Sequence, residues 1–225
     1  LNFFNEVEIS EVMTDFPDKI NLEIKVEEKN TGEVSLGAGY SSANAASLNM
    51  GLRENNFLGK GQKVKFDTSF SSTRTAYDIS ITEPYFNNKP LSLTSNIYSN
   101  FTDPTNVNYE TEDLGFGISS SFPLSTDRYL ELRYSLFTSK IKANSNATAY
   151  ENALAGTDTV SSLGYSLIFD RRNSRFKPSN GFNIKLSQDL AGLGGDSNYH
   201  RNKFEFNYYK RLSKRFIGAY KLQAG

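Results

Sequence analysis

The sequence has 225 residues, and Lys+Arg 25 against Asp+Glu 25 leaves no formal net charge, which removes the electrostatic case for nucleic-acid binding, a task that needs a basic surface to displace counterions. Mean hydropathy is −0.52, and no apolar run approaches the roughly 18 residues of a membrane-crossing helix, although a membrane β-barrel, whose strands average out polar, stays open. Cys is absent, so there is neither a disulfide framework nor thiolate chemistry; aromatic content is 13%, from 17 Phe and 13 Tyr without Trp.

In chain order, residues 1–29 predict two short strands, Phe4 to Ser10 and Ile20 to Glu28, around a turn DFPDK. Ile20, Leu22, Ile24 and Val26 share one face, and Asn21, Glu23, Lys25 and Glu27 the other. That pattern suits one wet strand of a small α+β domain. Asn30-Thr31-Gly32 reads as a hinge.

From Glu33 onward, strand follows strand with no convincing helix. Val34, Leu36, Ala38 and Tyr40 alternate with Ser35, Gly37 and Gly39; Val64 and Phe66 with Lys65 and Asp67; Ile79 and Ile81 with Ser80 and Thr82; Leu130, Leu132 and Tyr134 with Glu131 and Arg133. The pattern repeats through Phe216, Tyr220 and Leu222 and gives about eleven strands by the period-two template. A β-sandwich also has one apolar and one polar face per strand, so alternation alone does not decide the class. Three features favour a transmembrane barrel. Many runs reach the roughly 9–11 residues that cross a bilayer at a tilt. Tight links such as FPLSTD and KRLSK alternate with longer ones such as KANSNATAYENALAGTD and AGLGGDS. Aromatics sit at run ends, as Tyr85, Phe86, Phe101, Phe122, Phe169 and Phe182 do. The chain opens LNFFNEVEIS and ends LQAG inside an alternating run, which reads as part of a longer mature protein.

Catalytic constellations are missing. One His, His200, has no second His or Cys with which to build a zinc site or a nucleophile–base pair. Carboxylates such as Glu110, Glu112 and Asp113 fall at strand ends, where solvation explains them. GFGISS lacks the third glycine of a dinucleotide loop, and FLGKGQK lacks Walker spacing. The expectation is a protein that is not an enzyme, with no cofactor and no metal.

Four stretches, in order, resemble the BamA family of outer-membrane protein assembly factors: PDKINLEIKVEEKNTGEVSLGAGYSS, LRENNFLGKGQKVKF, ITEPYF and FDRRNSRFKPSNGF. The resemblance implies an all-β, antiparallel up-and-down transmembrane β-barrel, present as the first part of a barrel of about 16 strands, preceded by the end of an α+β POTRA domain. Residues 1–30 would be that POTRA end and 31–225 the barrel portion. The family's lumen-loop motif, Val-Arg-Gly-aromatic, and its last strands are not in this sequence. The implied function is insertion and folding of β-barrel proteins into the bacterial outer membrane, with the N-terminal segment in the periplasm. The implied partners are unfolded outer-membrane clients, the lipid bilayer, accessory assembly lipoproteins and periplasmic chaperones. A two-partner or autotransporter-assembly secretion pore and a soluble β-sandwich binding protein are the alternatives.

Two site expectations accompany the resemblance. The first strand, Glu33, Val34, Ser35, Leu36, Gly37, Ala38, Gly39 and Tyr40, would line a lateral gate at which a client strand pairs. Its glycines either weaken the strand for partner exchange, or relieve crowding in the lumen or permit a sharp bend. The turn marked by Asp170, Arg171, Pro178 and Gly181 would face the periplasm. Its charges, with Arg172, Arg175 and Lys177, would stay in water or headgroups; Pro178 fixes φ where no ladder bond is needed, and Asn180-Gly181 supplies a positive-φ step. The same residues also suit a turn with no part in client handling.

Overall fold

Alternation of apolar and polar residues becomes two antiparallel sheets in the computed structural model, which describes residues 3–13, 20–41, 45–175 and 177–225. The first sheet is a hairpin of β1 (Phe4–Met13) and β2 (Ile20–Glu28). Val7 opposes Val26 and Ile9 opposes Ile24, while Glu8 opposes Lys25 and Ser10 opposes Glu23. The turn DFPDK lies outside the described residues.

The second sheet is an eleven-stranded meander in which every strand pairs with its neighbours in sequence. Its strands are β3 (Gly32–Ser41), β4 (Ala45–Phe57), β5 (Gln62–Ser71), β6 (Arg74–Glu83), β7 (Ser92–Thr102) and β8 (Tyr109–Pro123). They continue with β9 (Arg128–Ala143), β10 (Gly156–Asp170), β11 (Gly181–Ala191), β12 (Tyr199–Arg211) and β13 (Ile217–Ala224). The register joins like with like. Leu52, Phe66, Ile79, Ile97, Phe116 and Leu136 form one row across β4 to β9. One residue along, Arg53, Lys65, Ser80, Asn96, Gly117 and Ser135 form another. Because the side-chain period is two, a slip of one residue would exchange the two faces of a whole strand, so this pattern pins the register.

Burial is inverted relative to a soluble domain. Among the described residues the one buried hydrophobic is Val160, whereas Ser162, Ser166, Ser187 and Asp189 on the polar face are buried. Ile79, Ile97, Leu132 and Leu163 on the apolar face are exposed. A sandwich would cover that apolar face with a second sheet; among the described residues none lies on it. In a single layer, the face that crowds its own side chains is the concave one. The sheet is therefore a barrel wall with a polar interior and an apolar exterior, the reverse of a water-soluble core.

Strand β9 shows the width of the apolar band. Its outward residues Leu130, Leu132, Tyr134 and Leu136 lie between Arg128 and Lys140. From Leu130 to Thr138 the strand rises by about 26 Å, roughly 20 Å along the normal at a tilt near 40°, close to the ~25 Å apolar band of such barrels. Beyond it, outward Lys142 pairs with Glu110 at 3.0 Å and Glu112 at 3.6 Å, so the long strands β8 to β10 continue past the hydrocarbon.

Two expectations need correction. A six-residue helix, α1 (Ala149–Leu154), occupies link 144–155. Thr148 caps it: the hydroxyl accepts from Glu151 N–H, and Glu151 accepts from Thr148 N–H in return. The Glu151 carboxylate also takes the Asn108 backbone N–H at 2.9 Å, tying this link to the one before β8. Link lengths do not alternate cleanly either. Links 84–91 and 171–180 lie at the same end as the tight 124–127 and 212–216, while 72–73, at the other end, is tight. A 3-10 turn at Phe86–Asn88, with positive φ at Asn87 and Asn88, takes up the extra chain in 84–91.

Candidate functional site

Strand β3 is an edge: among the described residues it pairs with β4 and nothing else. Its ladder can be assigned atom by atom. Thr31 O accepts from Asn55 N–H, one step beyond the Gly32–Glu54 pair. In an antiparallel ladder, hydrogen-bonded and non-hydrogen-bonded pairs alternate, so Glu33, Ser35, Gly37 and Gly39 direct their backbone groups at β4. Val34, Leu36, Ala38 and Tyr40 therefore direct theirs at the open side. These same residues carry the outward side chains, and Leu36 is 73% exposed where its ladder partner Met50 is 40%. Among the described residues its side-chain bonds to β4 are few and long, Ser35 Oγ to Gly51 O and Ser47 Oγ to Gly39 O, both 3.4 Å, so the pairing rests on the backbone ladder. A Cβ added at Gly37 would meet nothing within 4 Å, so relief of crowding does not account for that glycine among the described residues.

The turn after β10 is a hydrogen-bonded clasp. Arg171 N–H donates to Phe182 O at 2.8 Å, and Asn173 N–H to Asn180 O at 3.0 Å. Asn173 Oδ1 accepts from the backbone N–H of both Ser179 and Asn180 at 3.0 Å, and its Nδ2 donates to Ser179 Oγ. Pro178 sits half-buried before buried Ser179. Gly181 has φ +101, and a Cβ there would stand 2.9 Å from Arg171 C and closer still to its O; only glycine fits. Phe176 lies outside the described residues.

One charge departs from the expectation of full hydration. The Asp170 side chain is 7% exposed; it accepts from Arg172 Nε at 2.8 Å and Nη2 at 2.7 Å, with Arg175 Nε at 3.8 Å. A carboxylate at the end of a strand can be buried when two guanidinium groups replace its water. Arg171 instead donates to Asp127 Oδ2 at 2.9 Å. That bond, followed by one from Ser125, holds the Asp127 carboxyl below its ordinary value.

The structure does not bring gate strand and turn together: β4 to β9 lie between β3 and β10. It does reveal a cluster that sequence reasoning missed. On the inner face, Arg133 Nε donates to Asp189 Oδ1 at 2.7 Å and its Nη1 to Ser166 Oγ at 2.6 Å. Arg201 Nη2 holds the other oxygen of Asp189 at 3.0 Å. Gly164 lies in register between Arg133 and Asp189; a Cβ there would stand 2.8 Å from Arg133 Nε and closer to Asp189 Oδ1, so the bridge crosses over a bare backbone. Alternation places Arg133 on the polar face but does not show that it is joined to three other strands. Among the described residues no cluster of three His, Cys, Asp or Glu could hold a metal, and His200 sits on the outward face of β12 opposite Leu190.

Residues 56–225 match the Omp85 superfamily domain. The chain is 30% identical over 207 residues to the outer membrane protein assembly factor BamA of Neorickettsia risticii, covering 91% of this chain and 28% of that protein. It is 27% identical over 170 residues to the sorting and assembly machinery component 50 homolog of Homo sapiens, covering 75% of this chain and 36% of that protein. Among solved structures, BamA from Haemophilus ducreyi lacking POTRA domains 1-3 has a TM-score of 0.79 at 23% identity, covering 97% of this chain and 45% of that one. CdiB from Acinetobacter baumannii has a TM-score of 0.58 at 14% identity, covering 98% and 43%. Both structural likenesses speak to fold. The chain spans about a quarter to a third of the length of these curated relatives. An outward apolar face, a polar interior, a sequential antiparallel meander and a domain match over most of the residues agree, and the chain belongs to the Omp85 superfamily.

Proposed function

We propose that the protein carrying this sequence inserts and folds β-barrel proteins into the bacterial outer membrane, and that a client strand pairs with the open side of β3. Relatives named as outer-membrane assembly factors and as sorting and assembly machinery support the general activity. The observation that carries the mechanism is the one-sided ladder of β3, in which Val34, Leu36, Ala38 and Tyr40 turn their N–H and C=O groups to the side where, among the described residues, no strand pairs.

In hydrocarbon an unsatisfied backbone group costs several kcal/mol, so this edge needs a partner, either the strand that closes the barrel or a client. Main-chain pairing supplies affinity without reading side chains, which suits a machine with many substrates. The outward residues of β3 already meet lipid, so an added client strand continues an apolar face. Each step exchanges hydrogen bonds and breaks no covalent bond, and no cofactor is required. Residues 1–30 would be the end of a periplasmic POTRA domain, with accessory lipoproteins and chaperones delivering clients there. The turn with Asp170, Arg171, Pro178 and Gly181 acts as a clasp that holds β10 to β11 at the membrane boundary. At 14% identity the CdiB likeness lends no support to secretion.

The test uses the full-length protein with single cysteines at Val34, Leu36 and Ala38. Crosslinks to strands of a folding client are expected, and a disulfide locking β3 to the barrel's last strand should stop assembly. Normal client folding in the locked protein would reject the mechanism.

A further inference from the structure

The links at the two ends of the wall carry opposite charge. At the end shared with the β1–β2 hairpin, links 58–61, 84–91, 171–180 and 212–216 each contain Lys or Arg, and Asp127 in link 124–127 is the sole carboxylate among them. At the far end, links 103–108, 144–155 and 192–198 contain Asp103, Glu151 and Asp196 and no Lys or Arg. The charges of the links are thus sorted along the membrane normal.

On β9 to β11 this basic collar is built into the outward face. Phe169 points outward, in register opposite Arg128. The Arg171 guanidinium lies 4.9 Å from the centre of its ring and that of Arg128 5.7 Å. Asp127 serves both, 2.9 Å from Arg171 Nε and 3.9 Å from Arg128 Nε, so one carboxylate faces two cations and positive charge is left over. Both guanidinium side chains are more than half exposed, at 63% for Arg128 and 59% for Arg171. From Phe169 a ladder of outward rings continues through Phe182 at 5.5 Å to Phe206 at 6.4 Å.

We infer that the Arg128–Arg171 pair and this ring ladder form a binding site for an anionic phospholipid in the leaflet on the hairpin side. The guanidinium forks match a phosphate, and the aromatic face beneath holds them. The ladder offers a surface for acyl chains immediately next to the phosphate. That two-part chemistry is a phospholipid's; an acidic soluble peptide would leave the rings unused. The inference rests on the apolar face meeting lipid and does not depend on client pairing at β3.

The test reconstitutes the full-length protein in phosphatidylcholine vesicles that contain a photoactivatable phosphatidylglycerol. Labelling is expected around Phe169 and Phe182, and unlabelled phosphatidylglycerol should compete better than phosphatidylcholine by about fivefold for each cation engaged. The R128Q/R171Q variant should lose that preference, while K140Q/K142Q at the far end should keep it. Resistance to extraction by urea reports that each variant is inserted, so failed insertion is not mistaken for lost selectivity. Equal competition by the two lipids in the unmutated protein overturns the inference even if the variant does not insert. Competition by inorganic phosphate alone, or by polyglutamate as strongly as by lipid, also overturns it, the latter in favour of an acidic polypeptide partner.

Discussion

Replacing Ile79 by Arg tests the membrane wall most directly. Ile79 is central in β6, lies between Phe66 and Ile97 on the outward face, and is 54% exposed. An arginine there would be held near the bilayer midplane, since β6 runs from Arg74 to Glu83 and position 79 is about half-way. At that depth a cation on the lipid face of a barrel costs roughly 2–4 kcal/mol, falling to about 1 or less near the interfaces. Ser80, the next residue, points inward between Lys65 and Asn96. Ser80→Arg keeps its charge in the polar interior, and its expected cost is below about 1 kcal/mol, the usual range for a surface change with one like-charged neighbour. The assay is denaturant titration of the full-length protein in phospholipid vesicles, with both variants measured against the parent. Equal costs at 79 and 80, or a negligible cost at 79, would refute the outward assignment and with it the membrane reading of the sheet.

Two further outcomes are expected. Gly181→Ala should destabilise by more than about 1–3 kcal/mol, the cost of a sparsely populated backbone conformation, because its Cβ also collides with Arg171; Gly37→Ala, with open space around it, should change stability by less than about 0.5 kcal/mol in the same titration. The Glu151 carboxyl is drawn down from its ordinary value to about 2, first by the Asn108 backbone N–H and then by the Thr148 backbone N–H and hydroxyl. A depressed carboxylate stabilises fully above its unfolded value, near 4.5, and the contribution fades as pH falls through about 2. Protection of the Asn108 and Thr148 amides, taken as the exchange rate of an unstructured peptide over the observed rate at the same pH, should therefore fall between pH 4.5 and 2 and stay constant between pH 5 and 8.

The eleven strands were legible because alternation is local: each segment states its own two faces, and the register then follows from matching apolar rows. What failed was local in a different way, or not local at all. Helix α1 has six residues, too few to show a helical period, and its one signal was the Thr148-Ala-Tyr-Glu151 capping spacing. Arg133 was placed correctly on the inner face, but its partners Ser166, Asp189 and Arg201 arrive from β10, β11 and β12, and a single strand's pattern cannot name them. Asp170 read as a hydrated end charge because nothing in the spacing says that Arg172 folds back onto it. The edge status of β3 came from the family resemblance, since its alternation is no different from that of a central strand.

The distribution of side-chain crosslinks along the wall supports the choice of β3 as the strand that exchanges. Across β9 to β12 the interior is laced: Arg133 bridges to Asp189, Arg201 meets the same carboxylate, Lys185 reaches Glu131 at 3.4 Å, and Ser166 and Ser187 share a bond of 2.9 Å. Separating those strands would strand buried polar groups, each costing about 1–3 kcal/mol or more when charged. Between β3 and β4 the inner positions include Ser35 opposite Gly51, Gly37 opposite Asn49 and Gly39 opposite Ser47, and among the described residues the side-chain hydrogen bonds in the middle of the pair are the two 3.4 Å hydroxyl contacts. Toward the hairpin end, Thr31 bonds Glu54, so side-chain ties gather at the start of the strand and the rest of the pair is held by its backbone ladder. A wall laced by side chains over β9 to β12 and, among the described residues, sparsely so at β3 is consistent with the proposal that opening occurs at the edge whose backbone groups face away from β4.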